Sequence, residues 1–177
     1  ALSVVREKEL GSIVNFYATP VRKMEFLLGK QLPYIVVSLI SFFGLVTFAI
    51  YVFQVPLKGS LFTLTLGVFL YIICTTAIGL FISSFVKTQI AALMGTAILT
   101  FLPTIQFSGL KEPVSSLEGV AQYIGNIFPV TYFINISRSV FSKNVSFSEL
   151  RFEFFVLSIS IFVILYCSYL VLNKQEK

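Results

Sequence analysis

The residues that could perform acid–base, nucleophilic or metal chemistry are few in this chain of 177 residues, and they are scattered. The sequence has no histidine and no aspartate, and each glutamate lies at the boundary of an apolar stretch or outside one. Cys74 and Cys167 each lie within an apolar stretch, which disfavours both a disulfide framework and a metal pair. Zinc sites, haem sites and catalytic triads are therefore disfavoured. We predict that this chain has no catalytic residue, binds no metal and holds no cofactor.

A phosphate-binding loop is also missing from the sequence. Its closest approximation is Gly29-Lys30, but Gln31 follows the lysine, and Met24 occupies the position of the required leading glycine. We therefore predict that the chain is not an enzyme and cannot hydrolyse ATP by itself.

Small residues recur at intervals of four positions in two apolar stretches. The first set is Thr75, Gly79 and Ser83, and the second is Ala92, Thr96, Thr100 and Thr104. This spacing lets helix backbones approach closely and lets hydroxyl groups hydrogen-bond across the contact. Two interpretations are open: ordinary packing within the chain, or a dimer seam or weakly polar pathway lining. Pro103 lies in the second stretch, where it would free a backbone carbonyl and bend the helix.

The elements that carry these residues are apolar enough to cross a membrane. Hydrophobic residues make up 56% of the chain, above the roughly 45–50% of soluble domains. A bilayer-spanning helix needs about 20 predominantly apolar residues. The stretches that meet this test cover residues 32–55, 61–86, 89–108 and 152–172. We predict an all-α, polytopic helical membrane protein with about four transmembrane helices.

Charge is confined to the ends of these stretches and to the segments between them. The net charge of +5 lies beside apolar spans, which favours anionic lipid over nucleic acid as a partner. Arg6, Lys30 and Lys87 fall on one side of the predicted arrangement, so the positive-inside rule makes that side cytoplasmic. Because the spans carry no ionisable group at their midplane, a proton-coupled or sodium-coupled transporter is disfavoured.

The long segment before the last span carries apolar side chains at roughly helical spacing, among them Tyr123, Ile127 and Tyr132. A disordered loop would lack so much apolar surface. We predict short re-entrant or interfacial helices that fold back onto the membrane.

The N-terminal segment is charged and partly amphipathic. Residues 1–5 are followed directly by the charged residues 6–9, and we interpret residues 1–5 as the end of a preceding helix. Ile13, Phe16 and Tyr17 form a short apolar face beside the charged run, and Thr19-Pro20 is typical of a helix start. Composition alone favours an interfacial anchor and a helix that docks on a partner equally.

Three motifs in this part of the chain resemble those of the type 2 ATP-binding-cassette exporter permeases. That family carries Arg-Glu-Lys-Glu-x-Gly-[Thr/Ser], then Thr-Pro, then Leu-Gly-Lys-x-Leu-Pro-Tyr before a span. This chain has the same order, with Arg6 to Ser12, Thr19-Pro20 and Leu28 to Tyr34. The resemblance implies a cytoplasmic coupling helix, with these candidate residues for contact with an ATPase partner: Arg6, Glu7, Lys8, Glu9, Gly11, Phe16, Tyr17, Thr19 and Pro20.

The resemblance extends to the segment before the last span, which is similar to the family's extracellular helical hairpin. The matching hairpin residues are Ser108, Gly109, Pro113, Pro129 and Arg138. The chain departs from the family pattern at Glu118-Gly119, where a proline is frequent, and at Asn144, where a glycine is usual.

The family's fold implies four segments in this chain. Residues 1–31 would hold the end of a preceding helix, the coupling helix and an elbow. Residues 32–107 would form three transmembrane helices, residues 108–151 the extracytoplasmic hairpin, and residues 152–177 the last transmembrane helix and a cytoplasmic tail.

The function implied by the resemblance is that of a permease subunit in an exporter, in the bacterial inner or plasma membrane. A separate nucleotide-binding subunit would bind ATP and Mg²⁺, and a second permease subunit, identical or different, would complete a dimer. The substrate would be a drug, a lipid or another amphipathic compound leaving the cytoplasm. The alternative is a non-transporting membrane scaffold or assembly protein. Nucleic acid is not an expected partner.

Overall fold

The computed structural model describes residues 2–9, 23–110, 114–116, 118–143, 145 and 147–173. Within those ranges the regular structure is helical. The helices are α1 (Leu2–Glu9), α2 (Lys23–Tyr51), α3 (Leu61–Phe85), α4 (Gln89–Phe107), α5 (Val120–Ile127), α6 (Pro129–Ser142) and α7 (Arg151–Asn173).

Among the described residues, four helices are long and apolar enough to cross a bilayer, namely α2 from Glu25, α3, α4 and α7 as far as Val171. The predicted class, an all-α polytopic membrane protein with four spans, is confirmed. Helix α2 begins at Lys23, well before the apolar run that starts near residue 32, and it continues through Pro33. A proline inside a helix loses one backbone hydrogen bond. Tertiary contacts hold the first turns in place, because Leu27 and Gln31 of these turns are both buried.

Helix α3 lies at the centre and packs against α2, α4, α6, α7 and α1. Apolar residues lie all round it, as is typical of a helix surrounded by other helices. Gly67 allows α6 to come close: a Cβ atom at this position would lie 3.0 Å from Cγ2 of Ile136. The small residue therefore sets the distance between α3 and α6.

Two apolar clusters hold the bundle, one towards each end. The larger joins α2, α3, α6 and α7, and its buried members are Val46, Leu64, Ile136, Val140, Leu150, Phe154 and Leu157. We call this end the hairpin side. The smaller joins Val4 of α1, Leu27 of α2 and Leu80 of α3, and we call its end the α1 side.

Helices α5 and α6 form a hairpin that enters the bundle from the hairpin side. The backbone N–H of Gly59 donates a 2.8 Å hydrogen bond to the carbonyl of Val140, near the end of α6. Deeper in, Phe133 stacks on Tyr71 of α3, with ring centroids 4.5 Å apart. Helical rise places Tyr71 about 15 Å along α3 from Leu61, roughly half of the ~30 Å hydrocarbon thickness. The hairpin therefore packs against the middle of α3, and its entry into the bilayer stays a prediction.

The departure at Glu118-Gly119 has a backbone reason. Gly119 precedes α5 with φ of 60° and ψ of −130°, a conformation that side-chain-bearing residues rarely adopt. Proline, whose φ is fixed near −65°, does not fit this turn. Asn144, the other departure, lies outside the described residues.

Candidate functional site

The last turn of α1 contacts two transmembrane helices on the α1 side. Glu7 forms an ion pair with Lys30 of α2, and the side-chain amide of Gln89, the first residue of α4, donates a 2.7 Å hydrogen bond to Glu9. The Lys30 ammonium also lies 5.6 Å from the centre of the Phe26 ring. Each polar contact is partly exposed and contributes about 0–1 kcal/mol. Their importance is positional, because they join α1 to α2 and to α4.

The predicted coupling residues fall into two groups. Glu7 and Glu9 make the contacts described above, Arg6 is exposed, and Lys8 lies in α1 with its side chain outside the described part. The rest of the predicted set lies outside the described residues: Gly11, Phe16, Tyr17, Thr19 and Pro20.

Helix α4 begins at a threonine cap and carries a row of hydroxyl groups. The Thr88 side chain accepts a hydrogen bond from the backbone N–H of Ala91, 3.4 Å away, as is typical of an N-cap. Further along, each hydroxyl of the row donates to the carbonyl one turn earlier: Thr96 to Ala92, Thr100 to Thr96, Thr104 to Thr100 and Ser108 to Thr104. The hydroxyl protons are therefore used within α4, while the oxygen atoms can still accept hydrogen bonds.

The middle of α4 is not a regular α-helix. Residues Ala97–Phe101 adopt a π-helical turn directly before Leu102 and Pro103. Proline has no N–H for the carbonyl one turn before it, and π-helical turns occur where the α-helical bond ladder is interrupted, frequently at functional sites. The irregular turn lies between Thr96 and Thr104.

A cavity of about 430 Å³ lies between α2, α3, α4 and the start of α6. The two sets of small residues spaced four apart form a stripe on α3 and a stripe on α4. Five of their members line the cavity: Thr75, Gly79, Thr96, Thr100 and Thr104. The two stripes therefore face one space. The other two members lie nearer the α1 side and are fully buried: Ala92, and Ser83, which donates a 2.6 Å hydrogen bond to the Leu80 carbonyl.

Gln31 lines the same cavity and was not singled out as a site residue from sequence. Its side chain is 2% exposed. Its Nε2 donates to the Ile73 carbonyl at 2.8 Å and to the Thr76 hydroxyl at 2.6 Å, which ties α2 to α3. The sequence does contain one indication of this role: Gln31 places an amide side chain inside α2, one turn after the apolar Leu27. Its burial depends on α3, which sequence position alone does not show.

The predicted hairpin residues lie where α4 meets the hairpin. Ser108 and Gly109 are buried at the end of α4, and Gly109 has φ of 82°. Pro129 is buried at the first turn of α6, and Arg138 donates a 3.1 Å hydrogen bond to the Leu110 carbonyl. Pro113 lies outside the described residues.

Sequence reasoning missed Gly125, where α5 comes too close to α4 for any side chain. A Cβ atom here would lie 2.5 Å from the Phe107 carbonyl oxygen and 2.8 Å from Val114. Its own carbonyl accepts a 2.7 Å hydrogen bond from the Thr131 hydroxyl. Gly125 therefore lets α5 lie directly against the end of α4.

Comparison with known proteins identifies the family. The model of the ABC-2 family transporter protein matches residues 1–170. The probable multidrug ABC transporter permease YbhR of Escherichia coli (strain K12) is 28% identical over 146 residues, which are 82% of this chain and 39% of that protein. The ABC transporter G family member 20 of Dictyostelium discoideum is 27% identical over 179 residues, covering 100% of this chain and 24% of that protein.

A third relative is the inner membrane transport permease YhhJ of Escherichia coli (strain K12), 28% identical over 158 residues, which are 88% of this chain and 41% of that protein. The chain thus spans about two-fifths of the length of its bacterial relatives. No solved structure matches it significantly. Because the family model matches residues 1–170 and the described residues contain four candidate spans, the chain belongs to the ABC-2 family of transporter proteins as part of a multi-pass membrane permease.

Proposed function

We propose that this chain is the later transmembrane part of an exporter permease, driven by ATP hydrolysis on a separate nucleotide-binding subunit. The observation that carries the proposal is the double contact of α1, through Glu7 to α2 and through Glu9 to α4. Residues 10–22, which contain most of the predicted coupling segment, directly follow α1. A partner that moves this segment would act on α1, which precedes it, and on α2, which follows it.

The contacts of α1 give such a movement a route to the cavity. Val4 packs into the cluster with Leu27 and Leu80, so α1 is anchored by apolar burial as well as by polar contacts. Gln89 is the first residue of α4, and the same helix lines the cavity with Thr96, Thr100 and Thr104. Displacement of Gln89 along with Glu9 would move a wall of the cavity. Partly exposed polar contacts contribute so little free energy that they can break and re-form in each transport cycle.

The charge distribution supports a cytoplasmic location for the α1 side, because Arg6, Lys30 and Lys87 lie there. The hairpin would then lie on the outer face of the bacterial inner or plasma membrane. Many large apolar side chains of α2 and α4 are exposed, such as Leu45 and Ile90. These surfaces suit contact with lipid and with a second permease subunit, identical or different.

The apolar and hydroxyl-bearing lining of the cavity suits amphipathic cargo, and two relatives are named probable multidrug permeases. We propose a drug, lipid or other amphipathic compound as the substrate. ATP and Mg²⁺ would be bound by the partner ATPase.

The test uses the full-length permease reconstituted with its ATPase subunit in proteoliposomes. The double substitution Phe16→Ala and Tyr17→Ala removes the apolar face predicted to sit in the partner, where an anchor can contribute about 2 kcal/mol or more. We expect substrate-stimulated ATP hydrolysis and export to be lost while membrane insertion is retained. Lys8→Ala is the control, with little expected effect. Normal export by the double variant would exclude a coupling role for this segment, whereas no export by the unaltered protein with its ATPase would favour the alternative, a non-transporting scaffold that only binds a partner.

A further inference from the structure

Helix α4 consists of two regular halves joined by an irregular turn. Gln89–Thr96 and Leu102–Phe107 are α-helical, and the π-helical turn Ala97–Phe101 lies between them. Pro103 lies just after this turn; its ring clashes with the carbonyl one turn earlier and offers that carbonyl no N–H. Sharp bends in helices occur at prolines and at π-helical turns, and α4 has both side by side. The backbone of α4 therefore resists bending least between its two halves.

Two threonine hydroxyls bridge the irregular turn. The Thr100 hydroxyl donates a 2.5 Å hydrogen bond to the Thr96 carbonyl, and the Thr104 hydroxyl donates a 2.6 Å hydrogen bond to the Thr100 carbonyl. A hydroxyl that bonds to the carbonyl one turn earlier often bends a helix. It also gives that carbonyl a partner when the backbone hydrogen bonds rearrange. A bend at this turn therefore need not leave these carbonyls unpaired.

The two halves of α4 are attached to different parts of the structure. In the first half, the Gln89 side chain donates its 2.7 Å hydrogen bond to Glu9, in the last turn of α1. In the second half, the Phe107 carbonyl oxygen lies so close to α5 that a Cβ atom at Gly125 would be 2.5 Å away. A displacement of the last turn of α1 therefore reaches the first half directly, whereas the hairpin holds the second half.

Helix α3 is joined to the same hairpin by packed side chains. The Tyr71 ring stacks on Phe133 of α6, with centroids 4.5 Å apart, and a Cβ atom at Gly67 would lie 3.0 Å from Ile136 Cγ2. Separating apolar surfaces costs more free energy than breaking a partly exposed polar contact such as that of Gln89. Helix α3, the hairpin and the second half of α4 thus form one body, against which the first half of α4 can move.

We propose that α4 is hinged at Ala97–Phe101, so that its first half moves with the last turn of α1 while its second half stays with α3 and the hairpin. Thr96 lies in the first half and Thr104 in the second, and both line the cavity. Bending therefore changes the shape of one cavity wall instead of shifting the whole helix. The proposal rests on the proposed function, because the movement starts from the ATPase partner.

The first test follows the movement by disulfide formation. Gly95→Cys and Ile82→Cys place thiols on the first half of α4 and on α3, where a Cβ atom at Gly95 would lie 3.8 Å from Ile82 Cγ2. Cys74 and Cys167 are replaced first. The full-length permease is studied with its ATPase subunit in lipid nanodiscs. We expect a non-hydrolysable ATP analogue to slow disulfide formation by about fivefold or more, because thiols that move apart cannot be bridged.

The control for this test is the same permease without the ATPase subunit, in which the analogue should leave the rate unchanged. An unchanged rate with the ATPase present would overturn the proposal. In proteoliposomes, the disulfide should stop export, and a reductant should restore it; export that continues with the disulfide formed would also overturn the proposal. If the unaltered protein does not export, the proposed function fails, whereas the rate of disulfide formation still decides whether α4 is hinged.

The second test stiffens the hinge. Pro103→Ala restores a backbone N–H and lets α4 become a regular helix. We expect membrane insertion and the thermal midpoint to be retained, while substrate exported per ATP falls by about fivefold or more, since a helix without proline resists bending. The matched control is Pro33→Ala, at a proline inside α2, where the helix has no irregular turn; it should not change the ratio. A ratio for Pro103→Ala equal to that of the control would overturn the proposal, and if Pro103→Ala fails to insert, disulfide formation decides.

Discussion

The side-chain amide of Gln89, at the first residue of α4, donates a 2.7 Å hydrogen bond to the carboxylate of Glu9, at the last residue of α1. These residues are far apart in sequence, and the contact fixes the start of a transmembrane helix to the helix that precedes the predicted coupling segment. The same α4 lines the cavity. This one hydrogen bond therefore connects α1, which precedes the proposed coupling segment, to the helix that lines the proposed substrate cavity.

The hairpin depends on glycine at position 125. In Gly125→Ala the new methyl group would lie 2.5 Å from the Phe107 carbonyl oxygen, and overpacking of this kind costs about 1–3 kcal/mol. We expect a lower midpoint in thermal unfolding of the purified full-length permease. The control is Gly44→Ala, where a Cβ atom meets nothing within 4 Å. Equal midpoints for the two variants would show that α5 does not lie against α4 as described.

The topology can be checked by cysteine labelling. Lys87 precedes α4 on the α1 side, and Lys143 follows α6 on the hairpin side; both are exposed. After replacement of Cys74 and Cys167, an impermeant thiol reagent applied to intact cells should modify a cysteine at Lys143 and spare one at Lys87. Labelling at both positions, or at Lys87 alone, would contradict the proposed orientation.

Close packing of helices, within the chain or at a dimer seam, and a pathway lining predict different results for Thr96→Leu. If Thr96 were in a closely packed seam, the larger side chain would cost about 1–3 kcal/mol of stability. Because Thr96 lines the cavity, we expect the thermal midpoint to stay within about 2 °C of the unaltered protein while export falls. Unfolding temperature and export are measured on the same preparation. A clear loss of stability would favour the seam instead.

The spans were predictable because length and apolar composition decide whether a helix can cross a bilayer. The first residue of α2 was not predictable, because Lys30 and Pro33 are typical of the end of a transmembrane helix. In the structure the helix already begins at Lys23, and the buried Leu27 and Gln31 stabilise its first turns. Contacts with α3 and α1 override the local signals there.

The candidate site was predictable only in part. Spacing showed that Thr96, Thr100 and Thr104 share one face of a helix, but it does not show which other helix or cavity that face contacts. That this face and the one carrying Thr75 and Gly79 surround one cavity is a property of how α3 and α4 pack. The roles of Gln31 and Gly125 likewise depend on partners from other helices, Thr76 and Phe107.

The central claim, that α1 passes motion from the ATPase to α2 and α4, is tested most directly by removing the carboxylates of Glu7 and Glu9. In Glu7→Ala combined with Glu9→Ala, up to about 2 kcal/mol of linkage is lost, which corresponds to a factor of about 30. The control is Glu118→Ala, an exposed glutamate on the hairpin side. The quantity to measure is substrate exported per ATP hydrolysed, in proteoliposomes holding the full-length permease and its ATPase subunit. We predict that the double variant still hydrolyses ATP but exports less substrate per ATP, by up to about thirty-fold, while the control matches the unaltered protein; an unchanged ratio in the double variant would contradict the account.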